Sequence, residues 1–203
     1  MFAAFHKPFG VLSQFTPDGS PNRTLAEFGF PPDVYSIGRL DADSEGLLLL
    51  SDERYWTSRL MEPGRHVEKT YRVLVERLPS AESLEFLRSG VDLLEKPSRR
   101  RGGRSAESRS LRTLPAHVEL LDPQPLVPER IPPVRVRKTV RDYWLEIRIV
   151  EGKNRQVRRM TAAIGHPALR LIRVAIGTLH IDTLPPGQWR ELTDEERNNF
   201  AIL

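Results

Sequence analysis

Cysteine is absent from this chain of 203 residues. That excludes a disulfide framework, a thiol nucleophile, iron–sulfur clusters and cysteine-ligated zinc, and it is compatible with a reducing compartment. Long apolar runs are absent too: Leu47 to Leu50 falls far short of the roughly 20 residues a membrane helix needs. The start, Met1-Phe2-Ala3-Ala4-Phe5-His6-Lys7-Pro8, lacks the charged lead and small-residue cleavage site of a signal peptide. A soluble, cytoplasmic protein without a membrane partner is expected. No glycine-rich phosphate loop, no metal-ligand spacing and no internal repeat is visible. What is present suffices for a core, with 39% apolar and 29% charged residues. The length fits one domain over 1–203, or two small subdomains sharing a core.

The formal charge of +4 conceals a strong asymmetry. Residues 130–173 carry 12 Lys or Arg against Asp142, Glu146 and Glu151, and residues 99–112 carry six Arg against Glu107. The remainder is acidic. Concentrated basic segments on an otherwise acidic chain suit a polyanion-binding face. A solvated, salt-bridged surface is the competing reading.

Strand pieces are expected at Phe2 to Phe5, Gly10 to Gln14, Val34 to Ile37 and Leu47 to Leu50, with a loop from Phe15 to Arg23. Thr24-Leu25-Ala26-Glu27 offers a capping box for one helical turn. A helix is expected from Asp52 to Met61, ended by Pro63-Gly64. Lys69 to Glu76 alternates as a strand with Tyr71, Val73 and Val75 on one face. A helix from Ala81 to Arg88 would bury Leu84 and Leu87. Residues 97–112, rich in Arg, Ser and Gly, are expected as a mobile insert. Further strands are expected at His117 to Leu121 and Tyr143 to Val150, separated by an extended connection with five prolines between Pro123 and Pro133.

Asn154 is a candidate N-cap for a helix with two stripes. Val157, Met160 and Ile164 form the apolar one, Arg155, Arg158 and Arg159 the basic one, and Gly165 ends it. Leu169 to Ile176 and Leu179 to Ile181 read as strands, Pro185-Pro186-Gly187 as a turn and Asp194 to Phe200 as a short helix. Strands and short helices without regular βαβ spacing predict an α+β fold with a mostly antiparallel mixed sheet.

Gly38-Arg39-Leu40-Asp41-Ala42-Asp43-Ser44-Glu45-Gly46 sets three carboxylates at alternate positions between apolar pieces. A calcium loop is one reading, opposed by Leu47 to Leu50, which would replace oxygen ligands with leucines. A glycosidase carboxylate pair is another, and a simple capping turn is the third.

Taken in order, Gly38-Arg39-Leu40-Asp41, Ser44-Glu45-Gly46-Leu47-Leu48-Leu49-Leu50, Lys69-Thr70-Tyr71 and Glu151-Gly152-Lys153-Asn154-Arg155-Gln156-Val157-Arg158-Arg159-Met160 resemble the RsuA-type RNA pseudouridine synthases. Lys7-Pro8, Leu171-Ile172-Arg173 and Gly177 are similar to that family's flanking pieces. The resemblance spans nearly the whole chain and implies the family's fold with a central basic cleft. It implies isomerisation of uridine to pseudouridine in ribosomal RNA without a cofactor. The 23S RNA of the large subunit stands ahead of 16S RNA or transfer RNA. A non-catalytic RNA-binding or ribosome-assembly factor on the same fold is the alternative.

By the resemblance, Asp41 is the nucleophile, Arg158 its cationic partner, and Tyr71 the residue that stacks on uracil and serves in proton transfer at C5. Core packing is the plainer role for Tyr71, and a phosphate contact the plainer one for Arg158. Arg39 is a candidate for displacing the target base, against an ion pair with Asp43 or Glu45. Lys69, Lys153, Asn154, Arg155, Arg159 and Arg173 are the remaining RNA-binding candidates. Relatives commonly carry an S4-type RNA-binding module before Lys7-Pro8, and this sequence leaves no room for one there. The insert from Arg99 to Arg112 is an auxiliary RNA-binding arm or a linker without a role. A monomer is expected.

Overall fold

The computed structural model describes residues 1–62, 64, 67–94, 110–135, 139–181 and 183–202. Strands β1 (Phe2–Lys7) and β3 (Glu45–Ser51) run antiparallel, with Phe2 opposite Ser51 and Lys7 opposite Gly46. Every residue of β3 is buried because the strand is covered on both faces. Leu47 and Leu49 pack with Phe2, Trp56 and Phe200, whereas Leu48 and Leu50 pack with Phe5, Val11 and Leu25. A run without alternation is what a doubly covered strand requires. Each leucine so buried contributes about 2 kcal/mol relative to exposure. Trp56 comes from α1 (Arg54–Met61) and Phe200 from α4 (Asp194–Ile202).

The second half of the sheet holds β4 (Lys69–Glu76), β7 (His117–Leu120), β8 (Asp142–Ile149) and β9 (Ala168–Ile176). Its inner face carries Tyr71, Val73, Val75, Leu145, Ile147 and Leu171. That face packs on Leu84 and Leu87 of α2 (Ala81–Ser89) and on Val157 and Met160 of α3 (Gln156–Ala163). The predicted stripe of α3 is thus core, and Gly165, in the left-handed region at φ 80°, follows its end.

With β11 (Trp189–Glu191) at one edge, the strand order is β11-β1-β3-β9-β4-β8-β7; β2 (Tyr35–Ile37) pairs with β3 and β10 (Leu179–His180) with β9. These pairings are antiparallel except that of β3 with β9, which joins the halves through Glu45 opposite Ile172 and Gly46 opposite Arg173. The fold is the expected α+β arrangement with a mixed, mostly antiparallel sheet. Gly46 is required at the junction. At φ 109° its backbone suits glycine, and an added Cβ would stand 2.2 Å from the Arg173 carbonyl oxygen.

Several expectations are corrected. Gly10 to Gln14 forms no strand; it curls against the following loop, with Leu12 N–H donating to Arg23 O and Arg23 N–H to Gly10 O, leaving one bridge between Val11 and Arg23. Arg155, not Asn154, is the N-cap of α3. Gln156 causes this, since its side-chain oxygen accepts from Lys153 N–H while its own N–H donates to Lys153 O, winding residues 153–155 into a turn. Of the insert predicted over 97–112, Ser110–Arg112 is strand β6, paired with β5 (Asp92–Leu94). Residues 97–109, with Arg99, Arg100, Arg101, Arg104 and Arg109, lie outside the described residues, as does Pro63. The edge strand β11 was not anticipated. Residues 121–135 form no regular element, as the prolines require. Among the described residues, no helix is long and apolar enough to cross a membrane.

Candidate active site

Asp41 stands in the turn between β2 and β3, beside the junction of β3 with β9. The turn is held from several sides. Ser44 N–H donates to Asp41 O at 3.0 Å and Gly10 N–H to Ala42 O at 2.7 Å. The Ser13 hydroxyl donates to Leu40 O and accepts from Leu40 N–H, at 2.8 and 3.0 Å. Beneath it lies Lys7, whose buried ammonium donates to Pro8 O, Val11 O and, at 3.5 Å, Ala42 O. Burial lowers the pKa of Lys7 to about 7, against the opposing pull of Glu45, Asp43 and Asp41. The segment thus presents the partly exposed Asp41 carboxylate on a fixed loop.

That carboxylate opens on a cleft of about 880 Å³. Arg39, Asp41, Lys69, Tyr71, Arg155 and Arg173 line it, with Lys153 and Asn154 at the turn before α3. Tyr71 is buried in the wall, within the same apolar cluster as Val73 and Leu171, and sits opposite Arg173 in the sheet register. Core packing and exposure to the cleft therefore coincide at this ring. Lys69 is two residues away on the same strand face. Burial first, then the nearby charge of Arg173, lowers its pKa. Arg173 donates Nε to Leu47 O at 2.7 Å, while its buried Nη2 has no partner among the described residues.

The arginines of α3 divide their work differently from the expectation. Arg155, not Arg158, makes the ion pair with Asp41, with 3.6 Å between Nη1 and Oδ2. The same guanidinium binds Asp43 through both terminal nitrogens, at 2.9 and 2.7 Å. Arg158 is nearly buried, at 12% side-chain exposure. It donates to Asp43 O at 2.6 Å and to Ala168 O at 3.1 Å, with Nε 3.5 Å from the Asp43 carboxylate. The physical reason is register. The left-handed conformation of Arg155 at the helix cap, φ 48°, swings its side chain across the cleft, and the first turn of α3 keeps Arg158 lower down.

Burial acts to raise the pKa of Asp43, but bonds to Arg155 and the charges of Arg158 and Arg155 outweigh it, leaving the carboxyl below its ordinary value. The same bonds raise Arg155, whereas burial lowers Arg158. Arg159 lies away from the cleft wall, donating to Leu94 O at 2.7 Å. Lys153 pairs with Glu151 at 2.6 Å. Exposed Arg39 donates to Gln14 at 3.5 Å rather than pairing with Asp43, which is taken by α3, or with Glu45, which is buried against Arg170.

The sequence reading left out Ser13, Gln156 and the load on Lys7. Lys7-Pro8 was visible as a motif, but nothing local marks its ammonium as the floor beneath Asp41. Ser13 carries no motif signal, and Gln156, though inside the motif before α3, shows nothing along the chain of its bond to Lys153 N–H. Among the described residues, no three His, Asp or Glu side chains group as metal ligands.

The profile of the RNA pseudouridylate synthase family matches residues 1–163. The chain belongs to that family. The synthase is 55% identical over 187 residues to "Ribosomal large subunit pseudouridine synthase E" of Xanthomonas axonopodis pv. citri (strain 306), covering 92% of this chain and 90% of the relative. It is 45% identical over 188 residues to the protein of the same name in Vibrio parahaemolyticus serotype O3:K6 (strain RIMD 2210633), covering 93% of this chain and 72% of that one. A solved structure titled "Crystal structure of pseudouridylate synthase" superposes with a TM-score of 0.74 at 29% identity, over 98% of this chain and 73% of the other. The synthase is accordingly an isomerase that carries the family's sheet.

Proposed function

We propose that this synthase converts a uridine of 23S ribosomal RNA to pseudouridine, with Asp41 as nucleophile and the target base turned out of its stack. The observation that carries the reading is the convergence of Asp41, Tyr71 and Arg155 on one cleft of about 880 Å³. That volume suits a nucleotide. The relatives at 45 and 55% identity are named for the large ribosomal subunit, which favours 23S RNA.

The reaction breaks the bond from uracil N1 to ribose C1′, rotates the base, and joins C5 to C1′. The C5 proton leaves and N1 gains one, so no electron or group enters from outside. A carboxylate serves because it can bond to the departing centre or take a proton and then be released unchanged. Tyr71 stacks on the uracil and its hydroxyl assists proton transfer at C5. Arg155 sets positive charge beside Asp41, while Arg158 acts through the Asp43 carbonyl as a positioning residue. Arg39, exposed next to Asp41, helps displace the base, and Lys69, Lys153, Asn154 and Arg173 meet the RNA backbone.

The test incubates the protein and an Asp41→Asn variant with 23S and 16S transcripts and maps pseudouridine. Conversion of 23S RNA by the wild type alone is the expected result. Equal conversion by both proteins removes Asp41 from the mechanism. Binding without conversion by either favours an RNA-binding or assembly factor.

A further inference from the structure

The turn that bears Asp41 is gripped from the far side of the sheet as well as from the cleft. Glu45, four residues after Asp41, is buried, and its carboxylate receives two bonds from Arg170, Nε to Oε1 and Nη2 to Oε2, both 2.8 Å. The remaining terminal nitrogen of Arg170 donates to Pro128 O at 2.7 Å, so the proline-rich connection closes the arrangement. Both side chains are at least nine-tenths covered.

A buried ion pair of this kind is a weak source of stability. Removing two charges from water offsets most of their attraction, and an apolar pair of similar volume often serves the fold as well. What the pair supplies is geometry. A planar guanidinium meeting a carboxylate through two parallel bonds fixes direction as well as distance. It does so where the backbone grip is thin, since β3 and β9 share only the rungs at Glu45 and Gly46. Strand β9 holds the same turn again through Ala168 O, which receives Arg158 while Arg158 also holds Asp43 O. Three successive parts of one strand therefore reach the nucleophile's turn: Ala168 through Arg158, Arg170 through Glu45, and Ile172 and Arg173 through the backbone.

We propose that Glu45 and Arg170 form a positioning clasp that sets the placement of Asp41, a role that rests on Asp41 being the nucleophile. The clasp touches neither substrate nor reacting atoms, so its loss changes turnover rather than RNA affinity. Removing one partner alone strands a buried charge and confuses stability with placement. The informative variant is therefore the double replacement Glu45→Met with Arg170→Met, which keeps the volume and discards both charges.

Melting temperature, kcat and KM are measured for pseudouridine formation on ribosomal RNA transcripts. The double variant is expected to melt close to the wild type, keep its KM and lose about tenfold or more in kcat. A folded double variant with kcat within about twofold of wild type overturns the clasp, as does a raised KM with kcat intact. Should the double variant fail to fold, Arg170→Lys decides. It keeps the charge on Glu45 but not the two-pronged bond, so a lowered kcat at unchanged KM is expected and an unchanged kcat overturns the proposal. Absence of product from the wild type overturns the underlying reading, and the clasp with it.

Discussion

Arg155 spans the cleft to hold Asp43 with two bonds of 2.9 and 2.7 Å, and the same guanidinium comes within 3.6 Å of Asp41. One cation thus serves two carboxylates, one locked and one left facing the cleft. The arrangement ties the cap of α3 to the β2–β3 turn, so that the Arg155 guanidinium is already engaged within the protein.

Asp43→Asn should therefore release Arg155. The expected result is RNA binding tighter by roughly twofold to fivefold at low salt, the scale of one partly exposed ion pair, together with lower kcat as Asp41 loses its neighbour. Filter binding and single-turnover rates measure the two, and no change in either would refute the shared-cation arrangement. The pairing also has a pH limit. Asp43 has a lowered folded pKa, so its contribution is complete above the unfolded value of about 3.9 and disappears only as pH falls through the lower folded value.

Lys69 and Arg173 stand close in the cleft wall, and no carboxylate contributes to the shift of Lys69. Two cations so placed call for an anion from outside. Lys69→Gln is expected to weaken RNA binding and reduce the slope of log affinity against log salt by about 0.7 to 0.9, the release of one counterion. Titrations at several salt concentrations read this directly, and an unaltered slope would exclude a phosphate at Lys69.

Lys7 offers a pH signature in the accessible range. Its folded pKa of about 7 lies below the ordinary value of 10.5, so the unfolded chain binds more protons between those limits. The burial penalty on the ammonium is complete below about pH 7 and is relieved as pH rises towards 10.5. Lys7→Met removes this titration and leaves carbonyls such as Val11 O without a donor, at a cost of about 1–3 kcal/mol. Melting curves should accordingly show the wild type gaining on Lys7→Met as pH is raised through that window. A constant difference would mean that Lys7 does not titrate there.

Gly46→Ala tests the β3–β9 junction. A methyl group 2.2 Å from the Arg173 carbonyl forces the parallel rungs apart. A loss of at least about 3 kcal/mol is expected, which for a chain of this size lowers the melting temperature by roughly 6–12 °C. A melting temperature unchanged from wild type would show that the two halves tolerate separation there.

Much of this molecule could be read along the chain. The alternation of Lys69 to Glu76, the unbroken leucines at 47–50 and the apolar stripe through Val157 and Met160 each specify an element, because burial on one or both faces imposes its own period. The order of the motifs, by its resemblance to the family, implies that Asp41, Tyr71 and the basic turn before α3 share one cleft, and all three line it. The short edge strands were less legible: Ser110–Arg112 and Trp189–Glu191 have little pattern of their own and take their hydrogen bonds from Asp92–Leu94 and from β1.

Local pattern thus determined the elements, since periodicity and capping act over a few positions, whereas the residues of the cleft were named by the resemblance of the motifs to the family. Which arginine meets which carboxylate was decided only by the tertiary structure. Arg155 and Arg158 are three residues apart on one basic stripe, and Asp41, Asp43 and Glu45 alternate within five. Nothing in that spacing distinguishes the pairings, whereas the left-handed cap at Arg155, the covered β3 and the two-rung junction with β9 send Arg155 across to Asp41 and Asp43, set Arg158 under the turn, and give Glu45 to Arg170. Charge is additive along a sequence, but ion pairs depend on direction and burial, and those exist only once the chain has packed.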